Sequence, residues 1–200
     1  MNATTQTIFL VDDDKDFRES MQWLLNSAGY SVRAFSSAVE FLDVYEGDEG
    51  CLLLDVRMPE MNGLDLQQRL QERGLPLPIL LMSGHADIAT AVEAMKAGAI
   101  DFIEKPFDDS TLMARIDQAL ALAVQRFAHF HAQQTLQQRY TSLSVREKEV
   151  MEQVVAGLAN REIADQLGIS PKTVEVHRAR VMSKMRADSL PQLVNMAAQL

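Results

Sequence analysis

The sequence predicts an α/β part followed by a small all-α part, and three observations carry that reading. Short apolar runs alternate five times with helix-patterned segments across residues 1–124. Residues 142–200 carry helical patterns alone, with a glycine turn between two of them. Between the two lies a stretch, 109 to about 140, with neither Gly nor Pro. Alternation of this kind implies a five-stranded parallel sheet with helices on both faces, because parallel strands need crossovers. A long helix is expected to join this sheet domain to the all-α domain.

The elements follow in order. "TIFLV" (7–11) precedes a helix whose stripe is Phe17, Met21, Leu24, Leu25 and Ala28, and "SVRAF" (31–35) precedes Val39, Phe41 and Leu42. "CLLL" (51–54) leads to Leu64, Leu66 and Leu70; "PILLM" (78–82) to Ile88, Ala91, Val92 and Met95. "AIDFI" (99–103) leads to Leu112, Ile116, Leu120 and Ala123, with Asp109 or Ser110 as the expected N-cap. That last stripe continues through Phe127 and Phe130, which are expected to meet the second domain or another chain. His129 and His131 are two apart, on different helix faces, so no metal site is expected there.

The whole chain has a net charge of −9, but the charge is divided. Residues 1–124 hold 21 acidic against 9 basic side chains, and residues 125–200 hold 7 against 10. The second part alone is mildly basic, a hint of a nucleic-acid contact that is weak without further signals. No apolar run approaches a membrane span, and the N-terminus lacks a basic region before a long apolar one. The single Cys51 allows neither an internal disulfide nor a thiolate zinc site. A cytoplasmic location is expected.

In open parallel sheets, ligands bind beyond the carboxyl ends of the strands. Asp12 and Asp13 end the first strand, Asp55 the third, Ser83 the fourth and Lys105 the fifth. Three carboxylates in one crevice repel one another, and a divalent cation relieves this. Mg²⁺ suits them, preferring oxygen ligands while keeping waters. A carboxylate beside it can attack a phosphoryl group, with Lys105 and Ser83 serving the transferring oxygens.

"FLVDDD", "LLLDVRMPEMNG", "LMSGHAD" and "DFIEKPF" resemble the signature segments of the two-component receiver domain, over residues 1 to about 124. The resemblance implies a flavodoxin-like sheet in which Asp55 accepts a phosphoryl group from a sensor histidine kinase. It implies Mg²⁺ held by Asp13 and Asp55 with the backbone carbonyl of Arg57, Asp12 acting through water, and Lys105 on the phosphoryl group. Ser83 fills the switch position and Phe102 that of the inward-swinging aromatic; Lys105–Pro106 resembles a cis peptide of the family. Arg57 and His85 stand where side chains either tune the lifetime of the phosphate or are simply solvated.

The second domain reads as four helices. Ser144 and Glu147 form a capping box, Gly168 makes a tight turn, and Ser170 caps a helix beginning at Pro171. Val174, Val181 and Met185 anchor that helix, leaving Lys172, Thr173, Arg178, Arg180 and Lys184 on its other faces. Helix, glycine turn, helix is the arrangement that places its second helix in the DNA major groove. "LSVREKEVMEQVVAGLANREIADQLGISPKTVEVHRARVMSKM" resembles the LuxR-type DNA-binding domain, and with a receiver before it the chain resembles the NarL/FixJ subfamily. This implies contacts from Lys172, Thr173, Val176, Arg178 and Arg180 within a motif from Asn160 to Ala179; Glu175 either reads a base donor or orients an arginine.

The expected organisation is a receiver at 1–124, a helical linker at 125–141 and a DNA-binding domain at 142–200. The expected function is a transcription activator gated by phosphorylation, homodimeric when phosphorylated, with promoter DNA and RNA polymerase as partners and no turnover activity. Two rivals are a Mg²⁺-dependent phosphohydrolase and a constitutive DNA binder. The first is disfavoured because "VDDDKDF" lacks the small residue that should follow a D-x-D motif, the second because the strand-end set is intact.

Overall fold

The structure, a computed structural model, describes residues 6–84 and 88–200. The chain divides into two compact units, residues 1–128 and 129–200. In the first, β1 (Thr7–Val11), β2 (Ser31–Phe35), β3 (Gly50–Asp55), β4 (Ile79–Ser83) and β5 (Asp101–Glu104) form one sheet. The strands run parallel in the order β2-β1-β3-β4-β5. Between and after them come α1 (Lys15–Ser27), α2 (Ala38–Val44), α3 (Gly63–Glu72), α4 (Ile88–Lys96) and α5 (Asp109–Thr141).

Strand side chains alternate between faces, so each strand feeds two cores. Phe9, Val11, Leu52, Leu54, Ile79 and Leu81 pack with Phe41, Leu66, Leu70 and Ala94 of α2, α3 and α4. Ile8, Leu10, Leu53, Leu80 and Met82 pack with Met21 and Leu25 of α1 and Leu112 and Ile116 of α5. Burial on both faces explains why these strands are apolar runs rather than alternating patterns.

Several details depart from the sequence reading. The apolar stripe of α4 points outward: Ile88, Val92 and Met95 are exposed, and Ala94 is the helix's buried residue. A 3.6-residue period establishes that a stripe exists but not which way it points. Ala28 is the exposed C-cap of α1 rather than part of its buried stripe. The N-cap of α5 is Asp108, whose carboxylate accepts the Thr111 amide at 3.1 Å, one residue before the expected position. Phe127 needs no other domain or chain, because it is fully buried in the same core as Leu77, Ile79 and Ala99. Phe130 is partly buried and its ring meets that of His131 at 5.9 Å.

In the second unit the end of α5 joins α6 (Val145–Val155), α7 (Asn160–Leu167), α8 (Pro171–Met185) and α9 (Leu190–Ala197). Their core includes Leu136, Val150, Val154, Ile163, Val174, Val181, Met185 and Leu193. Both bonds of the Ser144–Glu147 capping box are present. Gly168 closes α7 at φ +65°, a left-handed conformation that costs little without a Cβ. Ser170 caps α8, whose first residue is Pro171. Among the described residues no helix is long and apolar enough to cross a membrane.

Candidate functional site

The strand order reverses direction between β1 and β3, and a parallel sheet opens its crevice at that point. Asp12 follows β1 and Asp55 ends β3, so the topology alone puts two acids there. Both are buried, at 1% and 7% exposure. They share one cation: the Lys105 ammonium donates to Asp12 Oδ2 and to Asp55 Oδ1, at 2.6 Å each. Lys105 arrives after β5, where its backbone amide donates to the Ser83 carbonyl at 2.8 Å and its bond to Pro106 is cis.

The second oxygen of Asp55 accepts the Arg57 amide at 2.6 Å, and Asp12 Oδ1 accepts the Asp14 amide at 3.0 Å. Burial pushes the Asp12 carboxyl above its ordinary value, a push the Lys105 contact only partly offsets. Burial also acts to lower the Lys105 pKa, but hydrogen bonds to Asp12 and Asp55 outweigh it and hold the ammonium above its usual range.

Of the other residues singled out in the sequence, Ser83 is buried at the end of β4 and Phe102 is partly buried on β5, packed against the α2–α4 core. Asp13, next to Asp12 in the chain, is exposed, and the Arg57 side chain is also exposed. His85 lies outside the described residues. Among the described residues no group of three or more His, Cys, Asp or Glu side chains is gathered as for a metal ion. The donor chemistry nevertheless suits Mg²⁺, since hard oxygens are what Asp12, Asp13, Asp55 and the Arg57 carbonyl offer.

Three further residues shape the site. Gly63, first in α3, sits beneath the phosphoacceptor candidate: a Cβ there would stand 3.0 Å from Val56 Cα and closer still to the Asp55 carbonyl oxygen. Arg18 donates to the Asp12 carbonyl at 2.6 Å. The Phe17 ring lies under the Lys105 ammonium, 3.8 Å from Nζ to the ring centroid. Asp14 fixes Phe17 by capping α1, accepting the amides of Asp16 and Phe17. Asn62–Gly63 is a turn signal that points to Gly63, and Asp14, three before Phe17, is a cap signal; the approach of Phe17 to Lys105 has no such mark in the sequence.

In the second unit, α8 presents Lys172, Glu175, Val176, Ala179 and Arg180 to solvent. Lys172 pairs with Glu175 at 2.9 Å on the exposed side of the helix. Arg178 donates to Asn160 Oδ1 at 2.8 Å, which ties the two helices of the motif together. The Thr173 hydroxyl lies 2.8 Å from that of Ser170. Lys184 donates to Glu147 at 2.6 Å and to the Ser142 carbonyl at 3.1 Å.

The first unit thus carries an acid–lysine–acid arrangement at a parallel sheet's switch point, and the second carries the helix, glycine turn and helix of a DNA-binding regulator. Residues 8–117 match the response regulator receiver domain, and residues 141–197 match the bacterial regulatory proteins of the luxR family. The chain belongs to the response regulators of the NarL/FixJ subfamily. It is 47% identical over 196 residues to the transcriptional regulatory protein FixJ of Bradyrhizobium diazoefficiens, covering 98% of this chain and 96% of that one. It is 45% identical over 201 residues to the response regulator protein TodT of Pseudomonas putida, covering 100% of this chain and 88% of that one. Among solved structures, the response regulator StyR matches at 41% identity and a TM-score of 0.82, over 98% of this chain and 100% of that one. Full-length FixJ from B. japonicum matches at 46% identity and a TM-score of 0.59, over 98% of both chains.

Proposed function

We propose that Asp55 accepts a phosphoryl group from a sensor histidine kinase and that this gates dimerisation and sequence-specific DNA binding by the second unit. The observation that carries the reading is the buried Asp12–Lys105–Asp55 arrangement at the carboxyl ends of β1, β5 and β3. In the transfer, an Asp55 carboxylate oxygen bonds to phosphorus as the bond to the donor's imidazole nitrogen breaks. The imidazole leaves with the electron pair and takes up a proton. Asp13, Asp55 and the Arg57 carbonyl would hold Mg²⁺, with Asp12 acting through water; bound there, it would neutralise the acids and the incoming phosphoryl oxygens. Lys105, which donates to the Asp55 carboxylate, would meet a phosphoryl oxygen, and Ser83, which ends β4, would offer its hydroxyl to another.

Phosphorylation then biases a two-state element through Ser83 and Phe102. The outward apolar stripe of α4, Ile88–Val92–Met95, supports a dimer face formed with β5 and the start of α5. A dimer would set two copies of α8 on two half-sites. Lys172, Arg178 and Arg180 would meet phosphates and bases, with Thr173 at the helix start and Val176 toward base edges, all within Asn160 to Ala179. The functional division is a receiver at 1–124, a helical linker at 125–141 and a DNA-binding domain at 142–200. We read the protein as a cytoplasmic activator that engages RNA polymerase and as no turnover enzyme, since both matched families are regulatory.

The test compares wild type with Asp55→Asn, each treated with Mg²⁺ and a small acyl phosphate donor, by sizing and by DNA affinity. Wild type should dimerise and bind DNA more tightly on treatment while the variant does neither; equal responses would refute gating.

A further inference from the structure

We propose that Phe17 is a positioning residue for Lys105, its ring face holding the ammonium where a phosphoryl oxygen of modified Asp55 comes to lie. The inference rests on the reading that Lys105 serves phosphoryl transfer. Its basis is geometric: Nζ lies 3.8 Å from the Phe17 ring centroid while donating to Asp12 and Asp55. A cation centred over an aromatic face is attracted by the ring's quadrupole.

The ring does something the carboxylates cannot. A lysine stem has four flexible carbons, and its ammonium goes where its partners are. One of the two carboxylate partners changes during the reaction, because Asp55 ceases to be a free carboxylate once it carries phosphorus, while Asp12 keeps its charge. Contacts to the acids alone would fall from two to the one at Asp12 at the moment the ammonium must move to new oxygens. The quadrupole of Phe17 is present before and after, so it limits that motion to a short shift across one face.

The ring is itself held. Asp14 caps the turn that carries it. Phe107, two residues beyond Lys105, meets it edge-on at 6.2 Å and 80°. Both rings pack against the core that contains Ile103 and Leu112. The loop bearing the ammonium is thus fastened to the ring that positions it. The Lys105 side chain is only 17% exposed, so the attraction acts with little competing water.

The experiment uses the full chain, with phosphorylation by acetyl phosphate and Mg²⁺ followed on Phos-tag gels. Phe17 is replaced by mono-, di- and trifluorophenylalanine, which keep the ring's shape while withdrawing charge from its face, and by Leu. Each change is made with Lys105 present and with Lys105→Met, and thermal unfolding checks the fold. The expected result is a stepwise fall in rate with fluorination and a loss of about five-fold for Phe17→Leu, both absent in the Lys105→Met series. Rates indifferent to fluorination, or equal losses in both series, would overturn the proposal and leave the role of Lys105 intact. An unchanged rate in Lys105→Met itself would instead overturn that role, and the positioning of Lys105 with it.

Discussion

The Lys184 ammonium lies 2.6 Å from a carboxylate oxygen of Glu147, joining the last turn of α8 to the first turn of α6. A residue on the helix proposed to read DNA thereby serves the fold of its own unit. Glu147 also accepts the Ser144 amide at 2.8 Å. The bonds from Lys184 and Ser144 hold its carboxyl below the usual carboxylate range.

A lowered carboxyl pKa contributes stability above the unfolded-state value and loses it as the pH falls through the folded-state value. Urea unfolding of the protein and of Glu147→Gln should therefore differ by roughly 1 kcal/mol at neutral pH. The gap should close as the pH drops through and below the ordinary carboxylate range. A gap that persisted in acid would show that the side chain's shape matters and its charge does not.

At Gly63 the constraint is steric. An added methyl would press on the Asp55 carbonyl and on Val56, where backbone cannot give way as a flexible side chain does. Gly63→Ala should cost about 1–3 kcal/mol in denaturant unfolding and slow phosphorylation by shifting the end of β3. Wild-type stability in that variant would mean that the β3–α3 connection tolerates what its geometry forbids.

Phe127 gives a larger effect. Truncating a fully buried ring leaves a cavity, so Phe127→Ala should destabilise the receiver unit by about 3–5 kcal/mol. Phe130→Ala, which removes a less buried ring, should do less. Hydrogen exchange at the amides of β1 and β3, which belong to this unit, reads its stability directly. Equal effects from the two substitutions would place Phe127 outside the core.

On α8 the exposed side chains divide by chemistry. Arg180→Ala should weaken binding about equally across DNA sequences and lower the salt slope by about 1, the mark of a lost phosphate contact. Val176, 43% exposed on the same helix, has an isopropyl group suited to a thymine methyl. Replacing thymine by uracil along the selected operator should then weaken wild type at one position per half-site and leave Val176→Ala unaffected. Indifference of wild type to every such replacement would remove Val176 from base reading.

What the sequence could reveal depended on distance along the chain. Asp12, Asp55, Ser83 and Lys105 were legible because strand ends in a parallel sheet converge by topology, whatever their separation. Ser144–Glu147 and Ser170–Pro171 were legible because caps are local. The aromatic cover of Lys105 was not, since Phe17 obeys the periodicity of an ordinary core stripe and its partner follows another strand. The α4 stripe shows the same limit, for Ile88, Val92 and Met95 have the spacing of a buried face and are exposed. Lys184 and Arg180 look alike in sequence; only the fold shows that Lys184 is committed to Glu147.

The most direct measurement is the intact mass of the protein after incubation with Mg²⁺ and acetyl phosphate, followed by borohydride trapping and peptide mapping. Wild type should gain one phosphoryl group, the trapped product should map to position 55, and Asp55→Asn should gain none. Equal labelling of the variant, or a label mapped to another residue, would contradict the assignment of Asp55 and the gating built upon it.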